Sequence, residues 1–293
     1  MNQNSFSNTL IEALPYIEKF QGKTFVIKIG GSILECESVK KDLIRDLSLL
    51  YHLGFKLIIV HGGGKEITSR LKLMGMKSTF VMGHRVTDKS QIQEVEMVLS
   101  GKINKELTLL LNNAGVCSIG INGKDGGFIK GSKKTIISDK KEYNLGNVGE
   151  ITHIDTEFLS KIVAMDMIPI ISPIAYDEKH ETLNINADTL AAAIAGAMKA
   201  EKLILQSDID GIYKDFEDKN SLISILSLES ADHLLSSDSI SSGMIPKLSC
   251  CIEAVRKGVK SSHIINGNTK HSLLLELFSD HGIGTMIQGD NYE

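Results

Sequence analysis

Cysteine is too sparse in this chain to serve as a structural or metal-binding tool. Cys36, Cys117, Cys250 and Cys251 form no metal-ligand spacing, and the adjacent Cys250 and Cys251 cannot easily bridge to each other. They are expected to be reduced core thiols of an intracellular protein. Long apolar runs are also missing: none approaches the about 18 residues that a membrane-spanning helix needs. There is no basic block, and the net charge is −4, which argues against a nucleic-acid partner. The first residues, MNQNSFSNTL, carry neither the charged-then-apolar pattern of a signal peptide nor the Arg-rich character of a transit peptide. Arginine is the last scarcity. Only Arg45, Arg70, Arg85 and Arg256 occur among 32 basic residues, so each arginine marks a place where lysine did not suffice.

What the chain does have is apolar mass. With 293 residues and 42% hydrophobic content, it can bury a large core, as two domains or as one α/β body with two lobes. The stretch Thr24–Ser32, TFVIKIGGS, reads as a buried parallel strand ended by Gly30 and Gly31 and interrupted by one lysine, Lys28. A buried ammonium is costly unless it faces an anion. Glycines at the strand end would let the backbone approach that anion closely. The alternative is an edge strand with an exposed lysine and a plain turn. A helix predicted over roughly 36–53, ended by Gly54, leads to a second strand, Lys56–Val60, and then to His61-Gly62-Gly63-Gly64 and another helix. Two strand–glycine–helix units in tandem open a doubly wound parallel sheet, whose ligands bind beyond the carboxyl ends of the strands. The second loop is not a Walker A motif, because Ile59 and Glu66 stand where Gly and Ser/Thr are required. Neither loop gives a dinucleotide fingerprint, which disfavours a nicotinamide-dependent dehydrogenase.

Further along, Arg85 is placed in a glycine-containing loop, GHRVTD. There it would either clamp a substrate carboxylate or pair with Asp88 at the surface. Thr87-Asp88 is a plausible cap for a helix through about Leu111. Residues 115–151 read as short strands and turns, with Lys124–Gly127 as a hairpin turn, which could cover a small substrate. Asn184, Asn186 and Asp188 cluster where a strand gives way to an Ala-rich helix; one of them caps it. Ser207 and Asp208 follow the strand 203–205. Lys247 opens a helix behind Gly243, Met244 and Pro246, at an N-terminus where the dipole disfavours a cation unless an anion is near. The segment 8–20 is amphipathic. Its apolar stripe must dock on the body or on another subunit, and Pro15 is expected to kink or divide it.

In order, VIKIGG, VHGGG, GHRVTD, LNINAD, SDIDGIY, SGMIPK and HSLLLELF…GIGTMI resemble the amino acid kinase family and, within it, its acetylglutamate kinase branch, over nearly the whole chain. Ser242 departs from the glycine usual before GM. The resemblance implies a three-layer α/β/α sandwich with a mainly parallel sheet and two lobes. A regulatory helix would span 1–21, an acetylglutamate-binding and dimerising lobe 22–180, and an ATP-binding lobe 181–293. It implies transfer of the γ-phosphate of ATP, carried with Mg²⁺ and with no protein metal ligands, to the side-chain carboxylate of N-acetyl-L-glutamate in arginine biosynthesis. Lys28, Lys247 and Asp188 would be catalytic. Gly63, Gly64, Arg85 and Asn184 would bind the acid, and Gly30, Gly31, Ser207, Asp208, Gly243 and Met244 the nucleotide. The long lead ALPYIEKFQGKT resembles the arginine-inhibited hexameric type, a trimer of dimers, with Tyr16, Lys199 or Lys202, Glu276 and Gly282 at the effector site. The C-terminal run resembles the cyanobacterial and plastid form. That implies a plastid stroma with a PII signalling protein as partner, or otherwise a bacterial cytoplasm. A kinase of an aminoadipate-type acid, or a non-catalytic arginine or nucleotide sensor, are the alternatives.

Overall fold

The computed structural model describes residues 3–138, 141–215, 217–237, 240, 243–279 and 282–289, so Ser242 lies outside the described residues. After α1 (Gln3–Phe20) come β1 (Thr24–Ile29), α2 (Glu37–His52), β2 (Lys56–His61) and α3 (Gly64–Leu73). A small hairpin, β3 (Thr79–Val81) and β4 (His84–Val86), precedes α4 (Ile92–Glu96), a π-helical segment (Met97–Ile103) and α5 (Asn104–Asn113). Next are β5 (Ser118–Asn122), β6 (Ile129–Ser138), β7 (Lys141–Ile154), α6 (Thr156–Ala164), β8 (Ile168–Ser172), β9 (Ile174–Tyr176), β10 (Thr182–Ile185) and α7 (Ala187–Ala197). The chain continues with β11 (Lys202–Ser207), β12 (Ile225–Ser227), α8 (Leu228–Ser236), α9 (Ile245–Arg256), β13 (Ser261–Asn266), α10 (Ser272–Leu277) and β14 (Thr285–Gln288).

Eight strands form one sheet in the order β12-β14-β13-β11-β1-β2-β8-β5. Every neighbouring pair is parallel except β13 with β14. β1 lies between β2 and β11, so the winding reverses there, and its carboxyl end is the crevice where such sheets bind ligands. This central place rules out the edge-strand alternative for TFVIKI. The faces of β1 follow the two-residue period. Phe25, Ile27 and Ile29 pack with Phe20 of α1, Leu43, Leu47 and Leu50 of α2, Leu107 of α5 and Leu273 of α10. Val26 packs with Leu190 and Ile194 of α7 and Leu248 and Ile252 of α9. Each such side chain contributes about 1.5–3 kcal/mol by leaving water. Lys28 shares the face of Val26, so it points toward α7 and α9.

β6, β7, β9 and β10 close into a small barrel beside the sheet. The long hairpin β6–β7 replaces the expected run of short strands. Lys124–Gly127 is not its turn: those residues carry the chain from β5 in the main sheet to β6 in the barrel, with Gly126 and Gly127 at positive φ. The helix expected from Thr87-Asp88 starts later, at Ile92. Asp88 instead accepts from the backbone N–H groups of Ser90 and Gln91 in the preceding turn. α1 runs through Pro15 unbroken. The carbonyl that loses its partner belongs to Ile11, an exposed residue that water can reach. Phe20 anchors the end of α1 against Phe25 and Phe55, with ring centroids 5.5 and 6.2 Å away, whereas Ile11 and Leu14 stay exposed. Cys250 and Cys251 are buried thiols as expected, but Cys36 and Cys117 are exposed because they fall in connections flanking helices. Among the described residues, no helix is long and apolar enough to cross a membrane.

Candidate active site

The three residues expected to act on the transferred phosphoryl group meet. Asp188, in the first turn of α7 behind the cap Asn186, reaches back to the sheet. Lys247 donates to its Oδ2 at 2.8 Å, and Lys28 lies 2.8 Å from Oδ1, a charge contact off the hydrogen-bonding direction. Burial alone would raise the Asp188 carboxyl; the two ammonium groups outweigh it and hold the acid well below the usual carboxylate range. For Lys28, burial is the larger influence, and with Lys247 nearby it outweighs Asp188 and lowers the ammonium from its ordinary value. Two cations and one carboxylate leave one positive charge in excess at the ends of β1 and α9. Asp208, after β11, is close enough to act on Lys28 electrostatically. Ser207 is buried and donates to Asp208 at 3.2 Å. Met244 is buried just before α9, and Gly243 has open space around it.

The two glycine loops lie against each other. A side chain at Gly31 would come within 3.2 Å of the Gly63 nitrogen, and one at Gly30 within 3.1 Å of the Gln206 carbonyl. Gly63 is held from behind, since an added Cβ would sit 2.5 Å from Ile103 and 2.8 Å from Leu99 of the π segment. Gly64 instead faces open space. The carbonyls of this loop are all engaged inside the protein: Gly62 with His61, Gly63 with Ile67, Gly64 with Thr68 and Arg85. The N–H groups of Gly63 and Gly64 find no acceptor among the described residues. The loop therefore presents donors only, as an anion site requires.

Arg85 sits in β4, not in a loop, and it is buried. Its guanidinium donates to Ser78, Thr68 and the Gly64 carbonyl, each at 2.7 Å, and lies 4.7 Å over the Phe80 ring. The surface pair with Asp88 is not formed, because Asp88 serves its own turn. Among the described residues no carboxylate meets Arg85. Burial lowers it from its ordinary value. Arg85, Gly62–Gly64, Asn184 and Ala187 line a cavity of about 180 Å³ that reaches the start of α7. Asn184 donates to Thr87 at 3.2 Å. The cavity thus runs from an uncompensated arginine at one end to donor N–H groups and the helix carrying Asp188 at the other. It can hold a small molecule with an anionic group at each end.

The profile of the amino acid kinase family matches residues 23–266. The chain belongs to the amino acid kinase family. It is 50% identical over 282 residues to the acetylglutamate kinase of Caldanaerobacter subterraneus subsp. tengcongensis, covering 96% of this chain and 92% of that one. It is 47% identical over 289 residues to the acetylglutamate kinase of Campylobacter hominis, covering 98% and 99%. Among solved structures, the N-acetylglutamate synthase of Neisseria gonorrhoeae complexed with coenzyme A and N-acetyl-glutamate superposes with a TM-score of 0.85 at 27% identity; it covers 97% of this chain, which spans only 63% of the synthase. The carbamate kinase of Giardia lamblia bound to AMP-PNP, at 15% identity and a TM-score of 0.65, shares the fold.

For an amino acid kinase fold, a second cluster is notable, away from the strand ends. Glu276 of α10 is buried, accepts from the backbone N–H of Ile283 at 2.7 Å and of Gly284 at 3.2 Å, and meets His263 Nδ1 at 2.6 Å. Burial, with Lys202 adjacent, pushes His263 down to about 4, so the ring is neutral at neutral pH. It then donates from Nδ1 to Glu276 and accepts at Nε2 from Lys202 at 3.0 Å. Burial pushes Lys202 down to about 8. Of the two lysines considered, Lys202 stands in this cluster, lying 5.3 Å over the ring of Phe20, one turn beyond Tyr16. Gly282 adopts a φ of +58°, and a Cβ there would meet Glu276 at 2.7 Å. Sequence reasoning missed His263, His61, Asn104 and the π segment. The two histidines carry a usable signal, a titratable residue inside an apolar strand; the π segment leaves none in the pattern.

Proposed function

We propose that the chain phosphorylates the side-chain carboxylate of N-acetyl-L-glutamate with ATP, giving N-acetyl-L-glutamyl 5-phosphate in arginine biosynthesis. The observation that carries this is the Lys28–Asp188–Lys247 bridge at one end of a cavity whose other end is a buried arginine without a carboxylate partner. The kinases nearly 50% identical over their length support the acid chosen.

In this scheme Arg85 and Asn184 hold the α-carboxylate end of the acid. Its side-chain carboxylate lies against Gly63 and Gly64, in line with the γ-phosphate. Gly30, Gly31, Ser207, Asp208, Gly243 and Met244 face ATP, the nucleotide half being residues 181–293 and the acid half 22–180. Phosphoryl transfer needs positioning and charge neutralisation more than covalent help. Lys28 and Lys247 supply the charge from two sides, and Asp188 fixes where they stand. Among the described residues no group of three or more His, Cys, Asp or Glu could cage a metal ion. The donor set thus fits Mg²⁺ held chiefly by phosphate oxygens, where it offsets their charge. A coupled ATPase assay with N-acetylglutamate, glutamate, aspartate and N-acetylaminoadipate tests the assignment. Turnover not specific to N-acetylglutamate overturns it, and N-acetylaminoadipate as the better acceptor establishes the aminoadipate alternative.

We further propose arginine as an inhibitor held by Tyr16, Lys202, Glu276 and Gly282, and a hexamer built as a trimer of dimers. The exposed Ile11 and Leu14 on α1 support a subunit contact there. Removing residues 1–15, which keeps Phe20 docked, should leave dimers without arginine inhibition. A truncated protein that stays hexameric and arginine-sensitive refutes both. A PII signalling protein would be a partner if the chain is plastid-encoded and works in the chloroplast stroma; otherwise the compartment is the bacterial cytoplasm.

A further inference from the structure

His61 ends β2 fully buried, and nothing in the scheme above uses it. Its Nδ1 lies 3.0 Å from the carbonyl oxygen of Gly62, and its Nε2 lies 3.2 Å from the Asn104 amide nitrogen. Asn104 is buried as well, and the same amide nitrogen donates to the Ile170 carbonyl at 2.8 Å. A group that donates to a carbonyl is an NH₂, so the Asn104 orientation is fixed and Nε2 of His61 must accept. The remaining proton of the neutral ring then sits on Nδ1 and is donated to Gly62. The ring stays neutral because burial pushes it down to about 4.

A trans peptide is planar, and its C=O and N–H point opposite ways. Fixing the Gly62 carbonyl against His61 therefore aims the Gly63 N–H away from His61. The Gly63 nitrogen faces Gly31 across the narrow space between the two glycine loops. Gly62 contributes no steering of its own, because a glycine peptide turns freely. Asn104 owes its place to the π segment Met97–Ile103, which precedes it and whose Leu99 and Ile103 also back Gly63. π-helical turns recur at functional sites.

We propose that His61 and Asn104 are positioning residues: Asn104 fixes the His61 tautomer, His61 pins the Gly62–Gly63 peptide, and the pinned peptide aims the Gly63 N–H at oxygen of the transferring phosphoryl group. This rests on the kinase assignment made above. Aiming a donor before the charge develops is what gives an oxyanion-type contact its effect, and losing one such donor costs about 10²–10³ in kcat.

Three substitutions at His61 separate aiming from packing. Asn places an amide NH₂ where Nδ1 stands, Gln places it nearer Nε2, and Leu fills the space with no donor. His61→Leu and His61→Gln should lower kcat by about 10- to 100-fold, with KM for both substrates within about threefold. His61→Asn should recover most of that loss. Thermal stability should rank differently, with Leu at or above Asn, since Asn buries a polar group in less volume. If kcat follows stability, with Leu better than Asn, His61 only fills space and the proposal fails. Nitrogen-15 NMR of the histidine ring in the wild-type protein gives a readout independent of turnover. Protonation at Nδ1 from pH 6 to 8 is expected; an Nε2–H ring, or one that titrates in that range, overturns the proposal. The kinetic ratios are taken on the best acceptor of the wild type. Failure of the acetylglutamate assignment then shows as a different acceptor, and failure of this proposal as Asn no better than Leu.

Discussion

Replacing Asp188 by Asn removes the one charge that both site lysines share. Each ammonium lies 2.8 Å from a carboxylate oxygen. At an effective dielectric constant of about 20, each contact is worth roughly 6 kcal/mol of attraction before desolvation is counted. Most of that attraction offsets the burial of three charged groups, and breaking a buried ion pair on one side typically costs about 3–5 kcal/mol. In a chain of this size that lowers Tm by roughly 6–15 °C. The pH dependence follows from the sign of the shift. Asp188 is depressed in the folded state, so its contribution is complete above the unfolded carboxylate value of about 3.9 and is lost as pH falls through the folded value. The gap between wild type and Asp188→Asn should therefore be flat from pH 5 to 8 and close below about pH 4. Two unshared cations remain in the variant, so ATP or inorganic phosphate should raise its Tm more than it raises that of the wild type. In a coupled ATPase assay kcat should fall by about 10²–10³, because the lysines lose their fixed places. Differential scanning calorimetry with and without phosphate, beside the kinetics, tests all of this. A variant with wild-type Tm and kcat within about tenfold of wild type would show that Asp188 neither holds the lysines nor serves the transfer.

Arg85→Ala should raise KM for the acid acceptor by about 100-fold with a small change in kcat, and Arg85→Lys should not restore it, since one ammonium cannot reach Ser78, Thr68 and a carboxylate together; steady-state kinetics decides. Gly63→Ala should lower Tm by several degrees, because its Cβ would enter Leu99 and Ile103, whereas Gly64→Ala should leave Tm unchanged and weaken acid binding, seen by calorimetry and isothermal titration. Burial pushes Asp46 up to about 6 despite its contact with His271. A raised carboxylate costs stability above its folded value and nothing below the unfolded one, so Asp46→Asn should stabilise the protein by about 1–3 kcal/mol at pH 8 and have little effect near pH 4, measured by urea unfolding.

The sheet was legible because its strands are short apolar runs closed by glycine, and a buried parallel strand leaves no other reading of VIKIGG and IIVHGGG. The site was legible for a related reason. Lysines and carboxylates at strand ends and helix starts have no structural excuse, so Lys28, Asp188 and Lys247 stood out although more than two hundred residues separate the first and last. The barrel was not legible. β6 and β7 pair across a register that shifts twice, so alternation along either strand is broken, and the short-range turn signal at Lys124–Gly127 pointed to the wrong partner strand. The π segment could not be read either, since Met97–Ile103 carries the same apolar spacing as the helices on both sides of it. Arg85 was assigned to a loop because Gly83 precedes it. Three residues of β4 are too few to show a strand period.

That last miss bears on how the site works. A loop arginine would be free to follow a carboxylate; an arginine in a strand, buried under Phe80 and tied to Ser78, Thr68 and Gly64, is fixed before any ligand arrives. The bond to the Gly64 carbonyl joins the two ends of the cavity. The guanidinium that faces one carboxylate is attached to the peptide chain whose N–H groups face the other. Shortening Arg85 therefore removes a clamp and also loosens the glycine loop. On that account Arg85→Ala combined with His61→Leu should lower kcat by less than the product of the single effects, since both changes release the same loop. Multiplicative losses in the double-mutant cycle would show that the two ends act independently and that the Gly64 bond transmits nothing.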